Sequence, residues 1–312
     1  MKPEILQICP MMPHVESAFG EAYTVHRYWE ADDRAALLDA VGERVRAVAT
    51  DGHSGCAPEV MAALPKLELI ASYGVGYDAI DVAACRKRGV RVTNTPDVLN
   101  DAVAELSIGL MIALCRRIPQ ADVHVREGWW LEGGYPLTGE LTGARVGILG
   151  LGRIGKEIAR RCQAMKMRVA YHGRREQPYE PYEYYPDLVA MAREVDWLVV
   201  IAPGTPETRG IVSRAVLQAL GPEGCIVNVS RGSLVDETAM VEMLESGALG
   251  GAALDVFADE PRVPEALFGL DNVVLSPHQG SATRKTRMAM GDLVVRNLAA
   301  HFAGEPLLTP VV

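Results

Sequence analysis

Val146-Gly-Ile-Leu149, followed at once by Gly150-Leu-Gly-Arg-Ile-Gly155, is the stretch that decides the fold. The apolar run predicts a buried strand, and the helical period of Ile154–Met165 predicts a helix directly after the glycines. In a G-x-G-x-x-G turn the first glycine permits the turn, the second admits a pyrophosphate and the third lets the helix pack on the strand. N–H groups at a helix start favour phosphates. The stretch therefore predicts a dinucleotide site, a plain glycine turn being the alternative; its expected binding residues are Gly150, Gly152, Arg153, Ile154 and Gly155.

The rest of the chain alternates apolar strand-like runs with helix-period stretches, which predicts an α/β fold with helices on both faces of parallel sheets. Ten such runs are too many for one mononucleotide-binding unit, so two doubly wound sheets are expected. Two long helical stretches, 101–118 and 283–303, interrupt the alternation of strands and helices and are expected to link the two domains. The predicted domains are residues 1–98 with 285–312, and residues 99–284.

Composition narrows the class of protein. The 312 residues are 49% hydrophobic and 23% charged, with a net charge of −9, so an acidic globular protein with no nucleic-acid partner is expected. The longest near-apolar run, 106–115, is about half the roughly 20 residues that span a bilayer. With no basic-then-apolar opening segment, we expect a cytoplasmic protein that does not enter membranes. The six cysteines have no metal-site spacing and are expected to be reduced, and no metal site is predicted.

Cofactor choice depends on the end of the strand after the glycine turn. An NAD site usually carries an acid there for the ribose 2′-hydroxyl. Here the strand runs into Gly173-Arg174-Arg175 without an acid. Arginines can hold a 2′-phosphate through charge-assisted hydrogen bonds, which favours NADPH, with NAD bound more weakly. Two solvated loop arginines are the alternative.

Three polar side chains follow predicted strands in the second half of the chain: Arg231, Glu260 and His278. Ligands of open α/β sheets bind at the carboxyl ends of the strands, where these residues could converge. An arginine grips a carboxylate, a histidine gives a proton to a forming alkoxide, and a glutamate fixes the imidazole tautomer. Together they suit a 2-oxo acid reductase. Singly, each has a structural alternative: a helix cap, a turn residue and a buried histidine.

Four ordered motifs resemble the D-isomer-specific 2-hydroxyacid dehydrogenases over the whole chain. They are Gly150–Gly155, Asn228–Asp236, Gly251–Phe257 with Glu260-Pro261, and Ser276–Thr283. Within that family the chain is most similar to the glyoxylate, hydroxypyruvate and 2-ketogluconate reductase branch, whose members often prefer NADPH. The resemblance implies a Rossmann domain plus a flavodoxin-like substrate domain, and reduction of a small 2-oxo acid to the D-2-hydroxy acid.

The resemblance also implies roles for individual residues. The implied catalytic trio is Arg231, Glu260 and His278. The resemblance also implies that the substrate carboxylate binds to the amides of Val75 and Gly76, with a plain tight turn as the alternative for that loop. Further implied cofactor contacts are Pro203, Thr208, Asp255, which would hold the nicotinamide carboxamide, and Gly280. A homodimer is implied, in which Trp129 or Trp130 reaches the partner's active site or only packs in the interface.

Two other functions remain open at this point. A cofactor-sensing regulatory protein could use the same fold. Such a protein could tolerate the loss of one of the three polar groups, so the presence of all three favours an enzyme. Phosphite or formate oxidation is another chemistry of this fold, yet such relatives favour NAD, against which Arg174 and Arg175 argue.

Overall fold

The computed structural model describes residues 2–312, which divide into two compact units. The first unit comprises residues 2–99 together with 281–312, and the second comprises residues 100–280. The chain thus crosses between units at 99/100 and 280/281, one and four residues from the boundaries expected from the sequence. The functional role of each unit stays a prediction at this stage.

Twelve strands and eleven α-helices are present among the described residues. Up to residue 99 they are β1 (Glu4–Gln7), α1 (Pro13–Ala22), β2 (Thr24–Arg27), α2 (Arg34–Val41), β3 (Val45–Asp51), α3 (Pro58–Ala62), β4 (Leu69–Tyr73), α4 (Val82–Arg88) and β5 (Arg91–Thr93). The second unit holds α5 (Asn100–Cys115), α6 (Ile118–Arg126), β6 (Arg145–Leu149), α7 (Arg153–Ala164), β7 (Arg168–His172), β8 (Glu183–Tyr185), α8 (Leu188–Glu194), β9 (Trp197–Val200), α9 (Arg214–Leu220), β10 (Cys225–Asn228), α10 (Glu237–Glu245), β11 (Gly251–Leu254) and β12 (Val273–Leu275). Helix α11 (Arg284–Ala303) returns to the first unit.

The first unit is built on a five-stranded parallel sheet in the order β2-β1-β3-β4-β5, the flavodoxin-like order. Its core is formed by fully buried side chains such as Val48 and Ile70. The last residues of the chain lie along β5: the Val311 N–H donates to the Val92 carbonyl at 2.7 Å, and the Val92 N–H donates to Val312 at 3.3 Å. This pairing covers an edge strand that would otherwise expose unpaired backbone groups.

The second unit is built on a seven-stranded parallel sheet in the order β12-β11-β10-β9-β6-β7-β8. From β8 to β11 this is the Rossmann order, with strand order reversing between β6 and β9. Helix α5 packs against α7 and β11, and its nearly uninterrupted apolar sequence fits burial on several sides. The predicted α/β class with two doubly wound parallel sheets is confirmed.

Local predictions failed at three places. The cluster of tyrosines and acids at 179–185 predicts an irregular solvated loop, but its last three residues form strand β8, which pairs with Ala170–His172 of β7. Strand β2 was not predicted because its four residues are exposed or half-buried at a sheet edge and form no apolar run. The stretch from 101 to 118, predicted as one long helix, is divided between two helices. The first ends at Cys115 and the second begins at Ile118, with Arg117 between them at a φ of 48°.

An ion-pair cluster joins α11 to the sheet of the first unit. Glu68 accepts two hydrogen bonds from the Arg46 guanidinium, both at 2.8 Å, and lies 2.9 Å from the His301 ring. The hydrogen bonds from Arg46, together with His301, hold the pKa of the Glu68 carboxyl below its usual value, although burial opposes them. The cluster therefore stabilises the fold only while Glu68 is ionised.

All six cysteines are free thiols. Burial raises the pKa of Cys9, Cys56, Cys162 and Cys225 to about 12, so these thiols stay protonated at neutral pH. Within residues 2–312, no group of three or more potential metal-ligating side chains comes together. In the same part of the chain, no helix is both long and apolar enough to cross a membrane.

Candidate active site

The glycine turn lies between β6 and α7, as the sequence predicted. Gly150 has a φ of 102°, and a Cβ there would lie 2.7 Å from the Ala202 nitrogen. A Cβ on Gly155 would lie 2.2 Å from the Gly150 carbonyl oxygen. Only glycine fits these two positions, because the turn packs backbone against backbone.

The space around this turn suits a dinucleotide. A Cβ built on Gly152 meets nothing within 4 Å, so the backbone is open at the start of α7. In the first turn of a helix the N–H groups have no intrahelical acceptor, and here they belong to Arg153 and Ile154. The residues present therefore fit a pyrophosphate: the turn supplies an open concave backbone, and the helix N-terminus favours negative charge.

The segment after β7 borders the glycine turn. Strand β7 ends at His172, and Gly173 is the next residue. The Gly150 N–H donates to the His172 carbonyl at 2.9 Å. Gln177 closes the segment by donating its side-chain amide to the Leu151 carbonyl at 2.8 Å. Arg174 and Arg175 lie between these contacts and are exposed. Sequence reasoning did not single out Gln177, which ties this segment to the glycine turn.

Pro203 and Thr208 belong to a turn that follows β9, at the same sheet edge. The Thr208 hydroxyl donates to the Pro203 carbonyl at 2.8 Å and accepts from the Thr205 N–H at 2.8 Å. These bonds fix the shape of the turn next to β6. The cofactor contacts implied for the two residues stay predictions.

The structure brings together His278 and Glu260, for which the sequence predicts acid–base chemistry; that chemical role stays a prediction. His278 Nδ1 lies 2.6 Å from Glu260 Oε2, and Glu260 Oε1 accepts from the Phe257 N–H at 3.1 Å. The Glu260 side chain is 19% exposed while that of His278 is 45% exposed, so the carboxylate is sheltered and the imidazole is accessible. Because Nδ1 faces the carboxylate, Nε2 is the ring nitrogen on the side away from Glu260.

The backbone of His278 is held in an uncommon conformation. Its φ is 48°, in the left-handed region that non-glycine residues rarely adopt. The His278 N–H donates to the Asp255 carbonyl at 2.9 Å. Such conformations are found where surrounding contacts impose them, and they concentrate at active sites.

Those surrounding contacts come mainly from the Asp255 carboxylate, which is 1% exposed. One oxygen accepts from the Ser276 hydroxyl at 2.6 Å and the Gln279 N–H at 2.8 Å, and the other accepts from the Gly280 N–H at 2.9 Å. The buried carboxylate thus holds the loop that carries His278. The nicotinamide contacts implied for Asp255 and Gly280 stay predictions.

Arg231 follows β10. In the sheet β10 lies next to β11, which leads to Glu260, and β11 lies next to β12, which leads to His278. Arg231 Nη1 donates to the Ser230 carbonyl at 2.7 Å, and the Asn228 side chain donates to the Arg231 carbonyl at 2.9 Å. Gly232 lets this segment touch the one after β11, since a Cβ there would lie 2.0 Å from the Phe257 carbonyl carbon. The three predicted catalytic residues therefore follow three adjacent strands.

The predicted substrate loop belongs to the first unit and follows β4. The Gly74 N–H donates to the Thr95 hydroxyl at 3.0 Å, and the Asn94 side chain donates to the Val75 carbonyl at 3.0 Å. These bonds use the Gly74 N–H and the Val75 carbonyl. The residues Val75 and Gly76 are half-buried. Carboxylate binding by their N–H groups stays a prediction.

The two tryptophans singled out in the sequence begin a short 3₁₀ helix of the second unit, Trp129–Leu131. Their exposed fractions are 51% and 67%, and that of Leu131 is 93%. Three large apolar side chains in a row on the surface are typical of an interaction site. The implied contact of Trp129 or Trp130 with a partner's active site stays a prediction.

Comparison with known proteins places the chain in a family. Residues 108–280 match the model of the D-isomer specific 2-hydroxyacid dehydrogenase, NAD binding domain. The chain is 49% identical over 308 residues to a hydroxyphenylpyruvate reductase of Plectranthus scutellarioides, covering 99% of this chain and 98% of the relative. It is 47% identical over 308 residues, with the same coverage, to a glyoxylate/hydroxypyruvate reductase of Arabidopsis thaliana.

A solved structure agrees over the same length. The NADPH-dependent glyoxylate/hydroxypyruvate reductase of Sinorhizobium meliloti, in complex with NADP and malonate, has a TM-score of 0.94 and 46% identity, covering 100% of this chain and 97% of the other. The glycine turn, the paired histidine and glutamate, and the arginine thus occur within a fold shared with these oxidoreductases. The chain belongs to the D-isomer-specific 2-hydroxyacid dehydrogenase family.

Proposed function

We propose that this protein reduces a small 2-oxo acid, of the glyoxylate, hydroxypyruvate and 2-ketogluconate class, to the D-2-hydroxy acid with NADPH as the preferred reductant. The observation that carries the proposal is the 2.6 Å contact between His278 and Glu260, which lies at the sheet edge that also carries the glycine turn. The substrate class is supported by relatives named glyoxylate/hydroxypyruvate reductase and 2-ketogluconate reductase, at 47% and 40% identity.

His278 supplies the proton in this proposal. Its Nδ1 is engaged by Glu260, so Nε2 carries the proton that passes to the substrate oxygen as the carbonyl becomes an alkoxide. Glu260 stabilises the imidazolium and keeps the ring oriented, and the Phe257 N–H fixes the carboxylate in turn. NADPH, when bound, supplies the hydride that adds to the carbonyl carbon.

Arg231 binds and orients the substrate. Its planar guanidinium matches a carboxylate with two parallel hydrogen bonds, and its positive charge polarises the adjacent carbonyl. In the first unit, the N–H groups of Val75 and Gly76 are the donors that we propose for a substrate carboxylate. These contacts orient the substrate carbonyl, which acid catalysis alone does not do. A correctly placed carbonyl reacts faster because the step resembles an intramolecular reaction.

Cofactor binding uses the glycine turn and the segment after β7. Gly150, Gly152, Gly155 and the N–H groups at the start of α7 would hold the pyrophosphate. Arg174 and Arg175 would hold the 2′-phosphate, which NAD lacks. Their exposure leaves both guanidiniums accessible to a ligand. NADH would bind by the same turn and lose only the arginine contacts.

The active assembly in this proposal is a homodimer. The exposed apolar side chains of the 3₁₀ helix 129–131 would be covered by a second copy, and Trp130 of one copy would line the substrate site of the other. Sedimentation velocity should give a dimer. Replacing Trp130 by alanine should then change the KM for the 2-oxo acid more than the KM for NADPH.

Initial rates decide the function. Glyoxylate, hydroxypyruvate, pyruvate, 2-ketogluconate and phenylpyruvate are each offered with NADPH and with NADH, and the chirality of the product is determined. We expect turnover of the smaller acids, the D-product and a lower KM for NADPH. Cofactor binding without turnover of any 2-oxo acid would instead favour a cofactor-sensing regulatory protein.

A further inference from the structure

We propose that Asn94 is a positioning residue for the substrate loop: its side-chain amide orients and polarises a peptide group whose N–H binds the substrate carboxylate. The inference rests on the proposed function, in which the N–H groups of Val75 and Gly76 hold that carboxylate. It adds a residue that lies outside the loop and acts on the substrate only through it.

The two proposed donors belong to two consecutive peptide groups. The first peptide carries the Gly74 carbonyl and the Val75 N–H, and the second carries the Val75 carbonyl and the Gly76 N–H. Because both peptides are trans and planar, the C=O and the N–H of each point in opposite directions. A contact that holds one of these carbonyls therefore also sets the direction of the N–H in the same plane.

Both carbonyls are held by the two residues that follow β5. The Asn94 side chain donates from Nδ2 to the Val75 carbonyl at 3.0 Å, and the Thr95 N–H donates to the Gly74 carbonyl at 2.9 Å. The Thr95 hydroxyl in turn accepts from the Gly74 N–H at 3.0 Å, which fixes the first residue of the loop as well. The N–H groups of Val75 and Gly76 therefore point away from the segment that follows β5.

The Asn94 contact is the one that acts on the Gly76 N–H. A hydrogen bond to the carbonyl of a peptide makes its N–H a stronger donor, because hydrogen bonds in a chain polarise one another. The contact also opposes rotation of the peptide between Val75 and Gly76, and glycine, which has no Cβ, places little steric limit on such rotation. Without the Asn94 amide, the Gly76 N–H loses both its polarisation and its fixed direction.

The backbone of Asn94 is held independently of its side chain. Its N–H donates to the Thr309 carbonyl at 3.4 Å, and its carbonyl accepts from the Thr309 hydroxyl at 2.6 Å. Asn297 holds Thr309 in turn, through a hydrogen bond of 2.9 Å from its side-chain amide to the Thr309 hydroxyl. A substitution at Asn94 therefore keeps this pairing with the C-terminal segment and removes only the donor to the Val75 carbonyl.

Steady-state kinetics with the best 2-oxo acid and saturating NADPH test the inference. Asn94→Leu keeps the approximate volume of the side chain and removes its donor. Its KM for the 2-oxo acid should rise about 10-fold with kcat within about two-fold, because the carboxylate is bound alike in the ground state and the transition state. Asn94→Asp places an acceptor against the Val75 carbonyl and a negative charge near the loop, so its KM should rise about 100-fold. The inhibition constant of oxamate, an unreactive carboxylate of similar shape, should rise by the same factors.

Thr309→Val is the matched control for a general loosening of this segment. It removes the hydroxyl that donates to the Asn94 carbonyl at 2.6 Å, but it keeps the Asn94 amide. This variant should have a lower Tm than the wild type and the same KM for the 2-oxo acid. The Kd of NADPH, measured by fluorescence titration, should be the same in all variants and the wild type.

The outcomes separate this inference from the proposed function. If the wild type reduces 2-oxo acids but the Asn94 variants keep its KM, or if Thr309→Val raises KM by the same factor, the inference fails and the proposed function stands. If Asn94→Leu does not fold, the KM of Asn94→Asp decides in the same way. A wild type that reduces no 2-oxo acid would refute both.

Discussion

Replacing Glu260 by glutamine should lower kcat/KM for 2-oxo acid reduction by about five-fold. The substitution keeps the size of the side chain and an acceptor for the Phe257 N–H, but it removes the negative charge 2.6 Å from His278 Nδ1. In the proposed mechanism the imidazole donates a proton, and the carboxylate holds the ring in place and stabilises its positive charge. The substitution should therefore weaken the proton donor while leaving the other proposed contacts to substrate and cofactor in place.

The size of the loss follows from the exposure of the pair. A hydrogen bond between charged groups contributes about 1.5–3 kcal/mol when shielded, and solvent screening reduces this for an imidazole that is 45% exposed. About 1 kcal/mol remains, which at about 1.36 kcal/mol per factor of ten corresponds to a roughly five-fold lower kcat/KM. The measurement is kcat/KM for the best 2-oxo acid at one pH and fixed salt, with saturating NADPH.

A matched control separates the direct contact from a general loss of charge. Glu237 accepts from the Ala258 N–H at 3.0 Å, on the segment that leads to Glu260. Glu237→Gln also removes one charge nearby, yet its kcat/KM should equal that of the wild type. An unchanged kcat/KM for Glu260→Gln, or equal losses in both variants, would refute the proposed pairing.

Four other substitutions test the remaining roles. His278→Ala should lower kcat by about 10²- to 10⁴-fold with unchanged NADPH affinity by fluorescence titration; near wild-type turnover would exclude it as the acid. Arg231→Lys should lose most of kcat/KM, because an ammonium cannot make the paired contact; full activity would place the carboxylate elsewhere. The double change Arg174→Ala with Arg175→Ala should cut the NADPH preference by about 30- to 1000-fold, mainly through the KM for NADPH, and a retained preference would make both arginines plain loop residues. Glu68→Gln should lower Tm at neutral pH and have a smaller effect at acid pH, because the lowered pKa of the Glu68 carboxyl contributes stability that is lost as the pH falls through that pKa; an equal Tm difference at both pH values would contradict this.

The predictable parts of the fold were those with a strong local pattern. The buried strand and glycine turn at 146–155 could be read directly, because close packing demands glycine at Gly150 and Gly155. Strand β8 could not, since Glu183–Tyr185 becomes a strand only by pairing with β7 across a loop. Its residues are exposed or half-buried at the sheet edge, and so carry no apolar run.

The candidate site divides in the same way. The His278–Glu260 contact could be expected because both residues follow neighbouring strands of a parallel sheet. The left-handed backbone of His278 and the three donors on Asp255 could not, because they depend on a buried carboxylate meeting a loop more than 20 residues later. The contact of Gln177 with Leu151 was missed for the same reason, because the two residues lie 26 positions apart in the sequence.

The contact at Gly232 has a consequence for mutational tolerance. Because a Cβ there would lie 2.0 Å from the Phe257 carbonyl carbon, even alanine would push apart the segments that carry Arg231 and Glu260. Such a variant would keep all three predicted catalytic side chains and lose the geometry between them. A homologous sequence with the same three residues but a larger residue at the position of Gly232 should therefore be read as an inactive or repurposed member, although its predicted catalytic residues are all present.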